Sequence, residues 1–140
     1  MRFTSMFRYG LRALALIAEN YEKRPISAKE ISAKEDISPS FLEQLLAQLR
    51  RSGVIEGVRG PGGGFKLRKS PSEVPISEIV EALEGPILVA KCITCDGDPD
   101  NRCARIENCS AVPLLKNLKR DFSRVLASYT LSDMLVSETE

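Results

Sequence analysis

Six consecutive residues, Arg59-Gly60-Pro61-Gly62-Gly63-Gly64, cannot continue a helix. Glycine loses the most backbone freedom on ordering, and proline lacks the amide hydrogen that a helix interior uses. Val54-Ile55 begins an extended stretch before the run, and Phe65-Lys66-Leu67 alternates apolar and polar after it. The run therefore predicts the tip of a β-hairpin, and the rest of the chain must be arranged around that hairpin.

Before the hairpin, apolar residues recur in helical steps. Phe7, Leu11, Leu14, Ala18 and Tyr21 predict one face of a helix from Ser5 to near Glu22, closed by Arg24-Pro25. Ser27-Ala28-Lys29-Glu30 has the form of a capping box, with Ile26 and Ile31 placed as a hydrophobic staple, and starts a short helix reaching about Glu35. Ser38-Pro39 supplies an N-cap and a first-turn proline for a third helix. Its Leu42, Leu45, Leu46 and Leu49 share a face, and Gly53 ends it. Beyond the hairpin, Ile76, Ile79, Val80 and Leu83 predict a fourth helix stopped by Gly85-Pro86. Pro113 then opens a long helix whose Leu115, Leu118, Phe122, Val125 and Tyr129 alternate steps of three and four, the seam of a coiled coil. Thr130-Leu131-Ser132-Asp133 looks like the cap of a last short helix.

Three helices followed by a hairpin is the winged helix-turn-helix plan. The expected fold is mainly α with a small β-hairpin wing, plus a long C-terminal helix that pairs two chains. The expected boundaries are 1–86 for the winged domain, 87–112 for a cysteine loop, and 113–140 for the dimerisation and final short helices. No apolar run approaches the ~18 residues of a membrane span, so the chain is read as cytoplasmic, with no membrane partner.

Charge agrees with a polyanionic partner. Residues 1–70 hold 13 Lys+Arg against 7 Asp+Glu, whereas residues 71–140 hold 7 against 12. The positive excess is sharpest from Arg50 to Lys69, where Arg50, Arg51, Arg59, Lys66, Arg68 and Lys69 face only Glu56. With its leucines committed to a core, the third helix would expose Ser40, Glu43, Gln44, Ala47, Gln48 and Arg51. Glu43 suits a cytosine amino group and Gln44 an adenine, while Arg59 at the hairpin tip suits a narrow minor groove. A nucleotide-binding loop is the competing reading of the glycines, but neither GxxxxGK[ST] nor GxGxxG before a helix is present.

Cys92, Cys95, Cys103 and Cys109 form C-x2-C-x7-C-x5-C. Thiolates suit iron-sulfur clusters and zinc alike. A zinc ribbon usually shows two C-x2-C knuckles and this segment has one, which favours a cluster; zinc and a metal-free thiol switch stay open. Nothing points to an enzyme: there is no histidine and no nucleophile or cofactor motif. An electron carrier would leave the basic wing without a purpose.

Three segments together resemble the Rrf-type transcription regulators: Arg8-Tyr9-Gly10-Leu11-Arg12-Ala13-Leu14, Ile37-Ser38-Pro39-Ser40-Phe41-Leu42-Glu43-Gln44-Leu45, and Val58-Arg59-Gly60-Pro61-Gly62-Gly63-Gly64-Phe65. The resemblance covers nearly the whole chain and implies a homodimer on a palindromic double-stranded operator, acting as a repressor. It places DNA contacts among Ser38, Ser40, Phe41, Glu43, Gln44, Arg59, Gly60 and Gly62. It also favours an iron-sulfur cluster, since cluster-binding members carry three cysteines in this region. In one branch a histidine follows the last cysteine by three residues, where this chain has Val112; in another an acid on the partner's first helix serves, where this chain has Arg8. The additional cysteine of the Cys92/Cys95 pair is then the expected replacement ligand, with 2Fe-2S the first expectation and 4Fe-4S the second.

Overall fold

The leucine row of the third helix is where the molecule closes. Leu42, Leu45, Leu46 and Leu49 lie on one face of α3 (Pro39–Arg51) and are almost wholly removed from solvent. The computed structural model, which describes residues 2–87 and 107–135, packs this helix against α1 (Ser5–Glu19), α2 (Ala28–Glu35) and α4 (Ile76–Glu84). Each leucine so buried contributes roughly 1.5–3 kcal/mol relative to an exposed one.

Local chemistry sets the ends of these helices. α1 stops at Glu19, three residues before the end that periodicity predicts, because Asn20 caps it and donates from its amide to the Leu16 carbonyl at 2.9 Å. Glu22 takes a positive φ of 62° in the turn that follows. The capping box predicted for α2 forms only in half: Ser27 Oγ accepts from the Glu30 N–H at 3.1 Å, but the Glu30 carboxylate grips Arg24 at 2.7 and 2.8 Å and Lys34 at 3.1 Å. Charge-assisted, two-pronged bonds to a guanidinium outcompete a neutral amide. The staple residues Ile26 and Ile31 are both fully buried, as predicted.

Between α2 and α3 the chain reverses through Asp36, whose left-handed conformation (φ 52°) an aspartate tolerates. Ser32 Oγ donates to the Ile37 carbonyl at 2.6 Å and fixes the reversal. Ser38 Oγ then accepts from the Phe41 N–H, with Pro39 in the first turn of α3.

The hairpin is β1 (Ile55–Val58) against β2 (Gly64–Leu67), antiparallel, pairing Glu56 with Lys66 and Val58 with Gly64. An isolated bridge adds to the hairpin: Ile26 and Phe65 exchange both backbone bonds, at 2.9 and 2.8 Å, tying the wing to the entrance of α2. A Cβ on Gly64 would lie 2.3 Å from the Ile26 carbonyl oxygen, so that approach needs glycine. At the tip, the Gly63 N–H donates to the Gly60 carbonyl at 2.9 Å across Pro61 and Gly62, and Gly62 has φ 74°, the arrangement of a type II turn.

α4 ends at Gly85 with φ 86°. α5 (Val112–Ser128) lies against α4 and buries Val112 and Leu126, with Phe122 half-buried. Of the predicted seam, Leu118, Val125 and Tyr129 remain exposed, whereas Leu115 and Phe122 are half-buried and Leu114 is exposed in their place. The chain then returns to the winged unit: Tyr129 accepts from the Ile76 N–H at 2.8 Å, and the Leu131 N–H donates to Val74 at 3.0 Å. The predicted last helix is a 3-10 turn at Leu131–Met134, with a complete capping box between Thr130 and Asp133. Among the described residues no helix is long and apolar enough to cross a membrane.

Candidate nucleic-acid interface

Because the leucine row of α3 faces inward, the helix presents a polar face outward. Ser40, Glu43, Gln44, Ala47 and Arg51 are exposed, while Gln48 is half-buried. Spacings of three and four residues align Ser40, Glu43, Gln44, Ala47 and Arg51 along one side. None of Ser40, Glu43 or Gln44 has a side-chain partner among the described residues, so their donors and acceptors are available to a ligand.

Two predicted site residues act first as supports. Ser38 is exposed, but its hydroxyl oxygen caps α3. Phe41 is half-buried, with its ring edge-on to Tyr9 at 5.7 Å between centroids. Tyr9 in turn lies 5.2 Å from the Arg12 guanidinium, and Arg12 binds the Glu35 carboxylate at 3.1 Å and the Glu35 carbonyl. This chain of contacts ties α1 to the end of α2 and the start of α3, which fixes the angle at which α3 is presented. The sequence pattern did not reveal it, since apolar periodicity is silent about which aromatic edge meets which ring.

The wing adds cations, though fewer free ones than the sequence suggests. Lys66 pairs with Glu56 at 3.2 Å, Arg68 approaches the same carboxylate at 3.9 Å, and Lys69 approaches Glu78 at 3.8 Å. Arg50, Arg51 and Arg59 form no ion pair among the described residues and are exposed. Arg59 stands just before the glycine turn, where Gly60 and Gly62 are exposed and a Cβ on either would meet nothing within 4 Å. Their positive φ values, 97° and 74°, are what select glycine there.

Of the four cysteines, Cys92, Cys95 and Cys103 lie outside the described residues. Cys109 has a free, half-exposed thiol, and its carbonyl accepts from the Val112 N–H at 3.2 Å at the start of α5. Val112 is buried, so an apolar anchor occupies the position three residues after the last cysteine. Among the described residues this thiol forms no disulfide, and a thiolate is a donor that soft metals favour.

The Rrf2 family model, described as an iron-dependent transcriptional regulator, matches residues 3–137. The HTH-type transcriptional regulator IscR of Klebsiella pneumoniae is 33% identical over 135 residues, covering 96% of this chain and 80% of the relative. The structure of CymR, the global cysteine regulator of B. subtilis, superposes with a TM-score of 0.74 at 31% identity, covering 100% of this chain and 99% of that one. T. potens IscR superposes with a TM-score of 0.68 at 26% identity, covering 96% of this chain and 86% of that one.

Proposed function

Because the chain belongs to the Rrf2 family of transcriptional regulators, DNA-binding proteins rather than enzymes, we propose that it reads a palindromic operator as a homodimer and represses under the control of an iron-sulfur cluster. The observation that carries the DNA reading is the unpartnered polar face of α3 beside an uncommitted Arg59. α3 enters the major groove, where Glu43 accepts from a cytosine amino group and Gln44 pairs with adenine. Arg59 reaches the adjacent minor groove, and the open backbone at Gly60 and Gly62 lies along phosphate.

The exposed row of Leu114, Leu118 and Val125 on α5, continued by Tyr129 at its C-cap, supplies the surface for a second copy. A two-fold pair must hold its recognition helices about 34 Å apart to meet successive major grooves. α5 packs on α4, which packs on α3, so the orientation of α5 bears directly on that spacing.

Cys92, Cys95, Cys103 and Cys109 would hold the cluster, 2Fe-2S in preference to 4Fe-4S, with thiolates replacing the histidine or acid ligand of other branches. When bound, the cluster supplies a group sensitive to iron supply and oxidation. The chain's own part is to link Cys109, through the buried Val112, to the first turn of α5. The likeness to a cysteine regulator favours a second reading, in which the same thiols respond without iron. The deciding experiment is an absorption spectrum with iron, acid-labile sulfide and zinc analysis on anaerobically purified protein, repeated for Cys103→Ala. Visible bands that the substitution abolishes support the cluster; colourless protein with zinc or with no metal removes it and leaves the regulator.

A further inference from the structure

We infer that Arg50 is the residue that grips the phosphodiester strand separating the two grooves, an assignment that rests on the DNA reading of α3 and the wing. If α3 occupies a major groove and Arg59 the neighbouring minor groove, one sugar-phosphate strand must pass between them. Arg50 is in the last turn of α3, and its guanidinium carbon lies 3.9 Å from where a Cβ would stand on Gly57. Gly57 is in β1, two residues before Arg59. The Arg50 guanidinium therefore lies against β1 beside the last turn of α3, on the line that the strand would follow in this docking. The absent side chain at position 57 leaves room for a guanidinium to lie against the strand.

The charge arrangement of the wing singles out the same residue. Of the six cations between Arg50 and Lys69, Lys66 and Arg68 share Glu56, and Lys69 faces Glu78. Arg50, Arg51 and Arg59 have no such counter-charge among the described residues. Of these three, Arg59 is at the wing tip, and Arg50 is the one seen against β1. An exposed guanidinium with no internal acid gains most from a phosphate, because no existing pair must break, and its planar fork matches two phosphate oxygens. This contact carries no base information, so Arg50 sets affinity and register while Glu43 and Gln44 set sequence.

The test measures binding of the full-length chain against salt, on two probes: a duplex that the wild-type protein selects from a random library, and a scrambled duplex of the same length and composition. Each lost phosphate contact lowers the slope of log affinity against log salt by about 0.9, or about 1.8 for a symmetric pair. Arg50→Ala should show that loss, with roughly tenfold weaker binding per half-site on both probes. Arg50→Lys should keep the slope, and Lys66→Ala, whose cation is already neutralised, should change it little. A slope unaltered in Arg50→Ala, or lowered equally in Lys66→Ala, overturns the assignment while leaving the helix and wing as DNA readers. Failure of the wild-type protein to bind any duplex overturns both. Thermal melts of each variant identify any loss caused by misfolding.

Discussion

α3 and α5 are both amphipathic, yet they end in opposite situations. α3 buries its whole apolar row, with Leu45 and Leu49 at 0% exposure, and turns polar side chains outward. α5 buries Val112 and Leu126 but leaves Leu114 at 61%, Leu118 at 48% and Val125 at 52% exposure, with Tyr129 at its C-cap at 55%. The described residues complete the core of α3, whereas α5 keeps an apolar stripe that they leave exposed. The outward face of a helix states its business: polar and unpartnered for a hydrogen-bonding ligand, apolar and unpartnered for another hydrophobic surface.

The sharpest contrast is between Leu45→Ala and Leu118→Ala. The first should lower the stability of the fold by about 2–5 kcal/mol through the lost transfer energy and the cavity left behind. The second should leave the fold of a single chain within roughly 0.5 kcal/mol, while shifting the sedimenting species from dimer towards monomer. Chemical denaturation at two protein concentrations separates these effects. Equal, concentration-independent losses would make the α5 stripe an ordinary core face and end the comparison.

Next in size are changes on the face of α3 proposed to read DNA. Gln44→Ala should cost about 1–3 kcal/mol of discrimination at one base pair of each half-site, measured by competition between matched and single-substituted duplexes. Ser38→Ala, which removes the α3 cap, should cost about 1 kcal/mol of stability in thermal melts and weaken binding to all sequences alike.

The smallest effect concerns Glu30. The bonds from Arg24, followed by Lys34, hold its carboxyl down from 4.5 to about 2. A carboxylate whose folded pKa is depressed contributes stability that is complete above the unfolded value and fades as pH falls through the folded one. The margin of the wild type over Glu30→Gln in melting temperature should therefore be present at neutral pH and shrink between about 4.5 and about 2. A margin independent of pH would remove the ion pairs as its source. The group is at the surface, so the margin should also narrow with added salt.

Much of the fold is legible in residue order, because the signals that set it are local. Ser38-Pro39 starts α3 and the glycine run makes the turn, with no help from distant residues. The features that stayed hidden are pairings across sequence distance. The bridge from Ile26 to Phe65 depends on how closely backbone can approach Gly64, and the return of Tyr129 and Leu131 to Val74 and Ile76 is made by main-chain groups that carry no residue signature. Glu30 can cap α2 or pair with cations, and the positions of Arg24 and Lys34 decide for the cations. At the interface, the outward face of α3 could be read from its leucine row, but which wing cations remain free required the register that sets Glu56 opposite Lys66.

Selection from a random DNA library, read by sequencing, tests both helices at once. A reading helix duplicated by two-fold pairing through α5 predicts an enriched palindrome with half-sites about one helical turn apart. Enrichment of a single unrepeated half-site, or of no sequence at all, would contradict it.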